Sequence, residues 1–204
     1  VKQLKGKGMT KIEIAEIFRS VLERIGVMFD EKELFLTELV MAGEILKIVM
    51  EELSLQTPGK NLNLNDANGE NNPQIIIGTV QGDIHDIGKN IVASILEANG
   101  YAVANLGVDL SPQEIVQAVQ NYEPQILALS SLLTTAYDSM KKTVEAIESA
   151  GLRKKLKIVI GGGAVDENVC EYVGADAHGD SATDAIKLAK HWLELPETKI
   201  SEDS

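Results

Sequence analysis

The chain has few cysteines, few basic side chains and no long apolar run, and each of these shortages excludes a class of protein. A single cysteine, Cys170, occurs among 204 residues, which excludes an intramolecular disulfide and any CxxC metal or redox motif. Cys170 lies in an apolar pattern with Val169 and Val173. This pattern favours an unreactive thiol in the core over a nucleophile.

The charge balance and the apolar pattern limit the partners that can be expected. Lysine and arginine number 19 against 31 acidic residues, a formal net charge of −12. Nucleic-acid binding needs a concentrated positive surface, so no nucleic-acid partner is expected. No apolar run approaches the roughly 20 residues that span a bilayer, so no membrane partner is expected. No signal-peptide pattern is visible, and a cytoplasmic location is expected.

The N-terminal part of the chain predicts a small helical cap over residues 1–55. Apolar residues recur there at helical spacing in two segments, and Thr10 with Glu13 fits a capping box at the start of the first. The second helix is predicted to begin between Asp30 and Glu33. Residues 56–73 are rich in Asn, Gly and Pro and predict a linker.

Residues 74–204 predict an α/β domain, because short apolar runs alternate with helical patterns. This alternation indicates a five-stranded parallel sheet of the flavodoxin-like (Rossmann-like) class, covered by helices on both faces. The predicted strands are 75–80, 101–106, 126–129, 158–160 and 175–178. The predicted helices are 89–99, 112–121, 136–150, 167–173 and 182–193.

Ligands of such sheets bind beyond the carboxyl ends of the strands, where the strand order reverses between the first and third strands. The loop after the first strand places His85 between Asp83 and Asp86, with Gly82 and Gly88 able to bend the backbone around a bulky ligand. A neutral imidazole can bind a transition metal while a carboxylate, Asp83 by preference, fixes its tautomer. Spacing alone leaves the alternative open that an aspartate caps the next helix and His85 is a solvated loop residue.

Small and hydroxyl-bearing residues follow the other strands. Ser130 and Thr134 could bind a polar ligand tail, although Thr134 or Thr135 is also expected to cap the following helix. The run Gly162 to Ala164 permits close approach of a flat ligand, and Gly179 with Ser181 follows the last strand. Neither GxGxxG nor GxxxxGK[ST] is present, which disfavours a phosphate-binding loop. Together these loops predict one long ligand lying across the sheet edge.

Three motifs in this order resemble the cobalamin-binding domain of methionine synthase and, more closely, the corrinoid proteins of methyltransferase systems. They are Asp83-x-His85-x-x-Gly88, Ser130-x-Leu132 and Gly162-Gly163-Ala164. The resemblance implies a cobalamin or related corrinoid bound base-off, with His85 as the axial cobalt ligand and Asp83 as its hydrogen-bond partner, the two catalytic residues. It further implies a slot for the nucleotide tail, lined by Ser130, Thr134, Gly162, Gly163 and Ser181, and a helical cap in which Phe29 and Leu36 shield the upper cobalt face. The other residues expected to contact the cofactor are Gly82, Asp83, Ile84, His85, Asp86, Gly88, Leu132, Ala164 and Gly179.

The resemblance also implies a function and a set of partners. The chain would accept a methyl group on cobalt from a donor-specific methyltransferase and pass it to a second methyltransferase, with tetrahydrofolate or a thiol as acceptor and a reductive activation protein as a further partner. Alternatives are a corrinoid-dependent sensor, the small subunit of a mutase, and a flavin- or phosphate-binding protein of the same fold.

Two features depart from the family pattern. Ala136 stands where methionine synthase has a serine that completes a histidine–aspartate–serine relay, so hydrogen-bonded control of the histidine is expected to stop at Asp83. The family normally begins with a four-helix bundle, of which this chain is expected to supply two helices.

Overall fold

The structure, a computed structural model, describes residues 1–53, 72–163 and 165–193. Its helices are α1 (Lys2–Gly6), α2 (Lys11–Asp30), α3 (Leu36–Glu52), α4 (Ile87–Ala98), α5 (Pro112–Tyr122), α6 (Tyr137–Ser149), α7 (Glu167–Val173) and α8 (Ala182–Trp192). Its strands are β1 (Ile75–Val80), β2 (Val103–Leu110), β3 (Ile126–Ser130), β4 (Lys157–Gly161) and β5 (Ala177–Gly179). Nearly all of the predicted linker over 56–73 lies outside the described residues, and so does Ala164.

The five strands form one parallel sheet in the order β2-β1-β3-β4-β5. This is the flavodoxin-like order, so the predicted fold class is confirmed. The order reverses between β1 and β3, and the carboxyl ends of these two strands therefore lie side by side.

Alternation along the strands divides the core into two layers. One face of the sheet packs against α4 and α8 and the other against α5, α6 and α7, as expected for parallel strands joined by helices. Cys170 lies in the second layer, where burial raises the pKa of its thiol, in agreement with the predicted core role.

The N-terminal helices α2 and α3 pack on each other and on the face that carries α4 and α8. The predicted capping box is present, because Glu13 N–H donates to Thr10 Oγ1 and Thr10 N–H donates to Glu13 Oε2. Gly26 lies against α8 so closely that a Cβ there would be 2.6 Å from Thr183 Cγ2. No described helix is both long enough and apolar enough to cross a membrane.

Two element boundaries differ from the sequence prediction by more than two residues. Helix α3 begins at Leu36 rather than near Asp30–Glu33, because α2 runs on to Asp30 and Lys32 then adopts a left-handed φ of 62°. Strand β2 runs to Leu110 rather than Leu106, and its pairing with β1 shifts register twice along the way. Each shift interrupts the apolar alternation from which strands are recognised.

Candidate functional site

A cavity of about 630 Å³ opens at the carboxyl edge of the sheet, where β1 and β3 end. Its mouth is formed by the loops after β1, β3, β4 and β5, as predicted. Its interior lies between the sheet and helices α4 and α8 and is apolar. The interior residues are Ile75, Ile77, Ile126, Ala128 and Val159 of the sheet, Ile91, Val92 and Leu96 of α4, and Ala185, Leu188, Ala189 and Trp192 of α8.

His85 lies at the mouth, with its side chain about half exposed. Its Nδ1 is 2.7 Å from Asp83 Oδ1, and its backbone N–H donates to the same oxygen at 2.9 Å. The buried hydroxyl of Thr79 donates to the carbonyl of His85 at 3.0 Å. The backbone and the ring of His85 are therefore both held by hydrogen bonds.

Asp83 lies behind His85 and is 1% exposed. Its Oδ2 accepts hydrogen bonds from Ser131 Oγ at 2.8 Å, from Leu132 N–H at 2.7 Å and from Leu133 N–H at 3.1 Å. One carboxylate thus connects the loop after β1 to the loop after β3. The alternative that Asp83 caps α4 is wrong, because all the hydrogen bonds of its side chain go elsewhere, and Asp86, the residue before α4, makes no side-chain cap bond.

The ionisation of Asp83 decides the tautomer of His85. Burial alone would raise the pKa of this carboxyl, but the hydrogen bonds from His85, Ser131 and Leu132 outweigh it and hold the pKa well below its ordinary value. Asp83 is therefore an anion that can only accept hydrogen bonds, so Nδ1 of a neutral His85 carries the proton. Nε2 is then left with a free lone pair for a ligand.

Gly162 permits the close approach of two loops at the mouth. It adopts a φ of 135°, and a Cβ at this position would lie 1.8 Å from the carbonyl oxygen of Ser131. Ser131 N–H donates to the carbonyl of Gly161 at 3.0 Å. The loop after β4 thus supports the loop that supplies Ser131 to Asp83, and only glycine fits at position 162.

Lys89 is a buried cation in the first turn of α4 and lines the cavity. Its Nζ donates to Asn90 Oδ1 at 2.8 Å and to Asn105 Oδ1 at 2.5 Å, while Asn90 Nδ2 donates to Asp86 Oδ2 at 3.0 Å. Burial lowers the pKa of Lys89, and the carboxylate of Asp86 acts in the opposite direction. Asp86 is therefore engaged in this polar group and does not hold His85.

Most of the predicted site residues meet at the cavity. The lining contains Phe29, Ile84, His85, Asp86, Gly88, Ser130, Leu132, Gly162, Gly163, Gly179 and Ser181. Among the described residues, Gly82, Asp83 and Thr134 lie outside this lining, Asp83 because it is buried behind His85. Leu36 begins α3, and Ala164 is not described.

Thr134 belongs to a 3-10 turn over Thr134–Ala136 that precedes α6. The residue before α6 is Ala136, which has no side-chain cap hydrogen bond, so the predicted threonine cap is wrong. The turn itself leads the chain into the helix.

Sequence reasoning missed Ser131, Lys89 and Trp192. The expectation that the hydrogen-bonded chain ends at Asp83 is wrong. The Ser131 hydroxyl donates to Asp83 and so extends the chain, although it lies earlier in the sequence than Ala136, the position that was compared with the serine of methionine synthase. The pair Ser130–Ser131 at a strand end was the available signal, and the period of two in a strand shows that only one of the two can point to a given side. Trp192 gave no signal, because it comes from the far end of α8.

The other histidines lie apart from His85. His178 Nδ1 is 3.3 Å from a carboxylate oxygen of Glu167, and His191 is exposed on α8. Within the described residues there is no group of three or more His, Cys, Asp or Glu side chains arranged to hold a metal ion. A metal bound through His85 must therefore bring most of its own ligands.

Comparison with known proteins agrees with this geometry. Residues 73–187 match the family described as the B12 binding domain, and residues 11–54 match a second family of that description. Trimethylamine corrinoid protein 2 of Methanosarcina mazei is 34% identical over 189 residues, which cover 92% of this chain and 84% of that protein.

Several solved structures are similar to this chain in fold. A cobalamin-binding protein from Desulfitobacterium hafniense DCB-2 has a TM-score of 0.79 and 37% identity, with 94% of this chain and 88% of that chain covered. The methanol:cobalamin methyltransferase complex of Methanosarcina barkeri has a TM-score of 0.68 and 27% identity, with 89% and 67% covered. The family match, the relative and the shared fold together show that this chain belongs to the B12-binding corrinoid proteins of methyltransferase systems.

Proposed function

We propose that the chain is a methyl carrier that binds a corrinoid base-off, with Nε2 of His85 as the axial ligand to cobalt. The observation that carries the proposal is the position of the His85 ring. It lies at the mouth of the cavity with Nδ1 bound to an ionised Asp83, so Nε2 is the nitrogen available to a metal. A single imidazole suits a metal whose other ligands belong to its own macrocycle.

The surroundings of His85 fit a large ring with a long tail. Ile84 is 71% exposed, Ile87 is 74% exposed and Leu132 is 47% exposed, so apolar surface surrounds the imidazole at the mouth. Exposed apolar patches of this kind mark binding surfaces, and a macrocycle lying over the mouth would cover them. The interior of about 630 Å³ would receive the nucleotide tail.

In this proposal the corrinoid and the protein have separate tasks. A bound corrinoid supplies a cobalt atom that can hold a methyl group between two partners. Asp83 holds the proton on Nδ1 and keeps the ring oriented, which makes Nε2 a better electron donor. Ser131, Leu132 and Leu133 keep Asp83 ionised, so the proton stays on the imidazole.

The partners follow from the same proposal. A donor-specific methyltransferase would load the carrier, a second methyltransferase would unload it to tetrahydrofolate or a thiol, and a reductive activation protein would restore inactive cobalt. Phe29 of the cap lines the cavity, so the cap would shield the bound cofactor. It would then have to move to admit each partner in turn.

The test is to reconstitute the protein with hydroxocobalamin and compare the wild type with His85→Ala by visible absorption. His178→Ala is the matched control, because that imidazole pairs with Glu167 and not with Asp83. We expect the wild type and the control to retain corrinoid in equal stoichiometry with identical bands, and His85→Ala to show shifted bands. Labelling with ¹⁵N-histidine should change the nitrogen splitting in the EPR spectrum of the cobalt(II) form.

Two results would overturn the proposal. Absence of bound corrinoid in the wild type would favour a flavin or phosphate ligand for the same cavity. Bound corrinoid with bands and EPR splitting independent of His85 would remove the ligand assignment while leaving a corrinoid-binding role.

A further inference from the structure

The end of β2 is irregular where it passes the loop that carries His85. Ile77 pairs with Asn105, Gly78 with Gly107 and Val80 with Leu110, so β2 contains two more residues than β1 over this stretch. Bulges of this kind change the direction of the bulged strand and are frequent beside functional sites. They bring Asp109 next to the turn over Gly82 and Asp83.

Asp109 contacts this turn through two hydrogen bonds in opposite directions. Gly82 N–H donates to Asp109 Oδ1 at 2.8 Å, and Asp109 N–H donates to the carbonyl of Asp83 at 3.0 Å. Asp109 adopts a left-handed φ of 55°, which is uncommon outside glycine and which aspartate and asparagine tolerate best. The residue type therefore suits both the backbone conformation and the acceptor that the turn requires.

The hydrogen bonds of Asp109 bear on the direction of the Asp83 carboxylate. That carboxylate must reach His85 with one oxygen and Ser131 with the other. Its backbone is held by its own N–H, which donates to Val80 at 3.2 Å, and by Asp109 on the other side. Without the second contact, the Gly82–Asp83 turn would lose a restraint on the side away from β3.

We propose that Asp109 is a positioning residue for the His85 site, acting through the backbone of Gly82 and Asp83. This inference rests on the proposed function for its consequence, because correct placement of Asp83 is what would fix the metal-binding nitrogen of His85. The contact itself exists in the protein without a cofactor, so it can be tested there.

Three substitutions separate the two properties of Asp109. Asp109→Asn keeps an acceptor oxygen and tolerates the left-handed backbone. Asp109→Gly keeps the backbone conformation but removes the acceptor, and Asp109→Ala removes both. Ser111→Ala is the control for local destabilisation, because it removes the cap of α5 close by without touching Gly82.

The readout is the tautomer of His85, measured by ¹⁵N NMR on the corrinoid-free protein labelled with ¹⁵N-histidine, with circular dichroism to check folding. The wild type, Asp109→Asn and Ser111→Ala should show the proton on Nδ1. In Asp109→Gly and Asp109→Ala the Nδ1-protonated fraction should fall by roughly half or more, because the imidazole then samples both tautomers. Hydroxocobalamin spectra of the same proteins are recorded in parallel.

The outcomes are distinct from those of the proposed function. A wild-type tautomer in Asp109→Gly would overturn the inference even where wild-type corrinoid binding depends on His85. Loss of the tautomer in Ser111→Ala as well would overturn it, because general loosening of the segment would then suffice. A change confined to Asp109→Gly and Asp109→Ala supports the inference, and would do so even if the wild type bound no corrinoid. Should Asp109→Ala fail to fold, the Asn and Gly variants decide the result.

Discussion

At the mouth of the cavity, groups are held by short directional hydrogen bonds. In its apolar interior, which we call the inner end, side chains are held by apolar packing. Five donors converge on the two oxygens of Asp83 at the mouth. The inner end is lined by residues such as Ile75, Leu96 and Trp192. Hydrogen bonds constrain direction to within tens of degrees, while dispersion contacts are non-directional. The mouth can therefore fix the position of one atom, and the inner end selects a ligand by volume and polarity.

The largest effect is expected from removing the carboxylate at the mouth. Asp83→Ala removes the acceptor of the Leu132 amide and leaves the Ser131 hydroxyl and the Leu133 amide only their longer hydrogen bonds to each other's residue, at about 1–3 kcal/mol for each buried group left unpaired. We expect the free energy of unfolding at pH 7 to fall by about 3 kcal/mol, measured by urea denaturation. Asp86→Ala, which loses one hydrogen bond to Asn90, should cost about 1 kcal/mol or less. Equal costs would contradict the special position of Asp83.

The same residue predicts a pH dependence. Because the pKa of Asp83 is lowered on folding, its contribution to stability is complete above the ordinary carboxyl pKa of about 4 and is lost as the pH falls through the lower folded value. The stability difference between the wild type and Asp83→Asn should therefore be constant from pH 7 to about pH 5 and should shrink below about pH 4. Urea denaturation across this range measures it, and a difference that grows on acidification would contradict the sign.

Gly162→Ala should have the next largest effect. Its Cβ would collide with the backbone of Ser131, and overpacking with backbone strain costs about 2 kcal/mol. Gly151→Ala is the matched control, since Gly151 also has a positive φ of 72° but open space around its Cβ position. We expect this control to lose about 1 kcal/mol and to keep the His85-dependent corrinoid spectrum. Gly162→Ala should disturb that spectrum, because the displaced loop supplies three of the donors to Asp83.

The inner end can be changed without touching the mouth. Ala189→Leu places a larger apolar side chain at the cavity wall, and we expect corrinoid affinity to fall by roughly tenfold or more while stability changes by less than about 1.5 kcal/mol. His191→Leu, on the exposed side of the same helix, is the control. Titration with hydroxocobalamin measures the corrinoid affinity of both variants. Unchanged affinity in Ala189→Leu would show that no part of the ligand enters the inner end.

The smallest effect is expected from Thr134→Ala. Thr134 is exposed and, among the described residues, lies outside the cavity lining, so stability should change by less than about 0.5 kcal/mol and corrinoid affinity should stay within about twofold. The same hydroxocobalamin titration applies. A tenfold loss of corrinoid affinity would show that the binding site includes the turn before α6.

The fold could be predicted from the sequence because a parallel sheet leaves a simple pattern. Strands such as β1 and β3 are buried on both faces and appear as continuous apolar runs. In the helices, apolar residues recur every three to four positions. The end of β2 could not be predicted, because two register shifts place Asn105, Gly107 and Asp109 within the strand. Its outward course depends on contacts with the loop after β1, which lies more than twenty residues earlier in the chain.

The site was predictable where one short segment carries its residues. His85 and Asp83 are two residues apart, and the structure brings them into contact. Ser131 and Trp192 lie far along the chain from them, and their approach depends on the packing of β3 and α8. The inner end was missed because its apolar residues are indistinguishable from an ordinary core in sequence.

The cap and one face of the sheet share a single hydrophobic core. Leu22 and Leu46 of the cap belong to the same buried cluster as Ile77 and Leu96, beside the cavity. A core that is continuous across two segments favours their unfolding together in one cooperative transition. A ligand held in the cavity would then raise the melting temperature of the cap as well as that of the sheet, by mass action on the folded state.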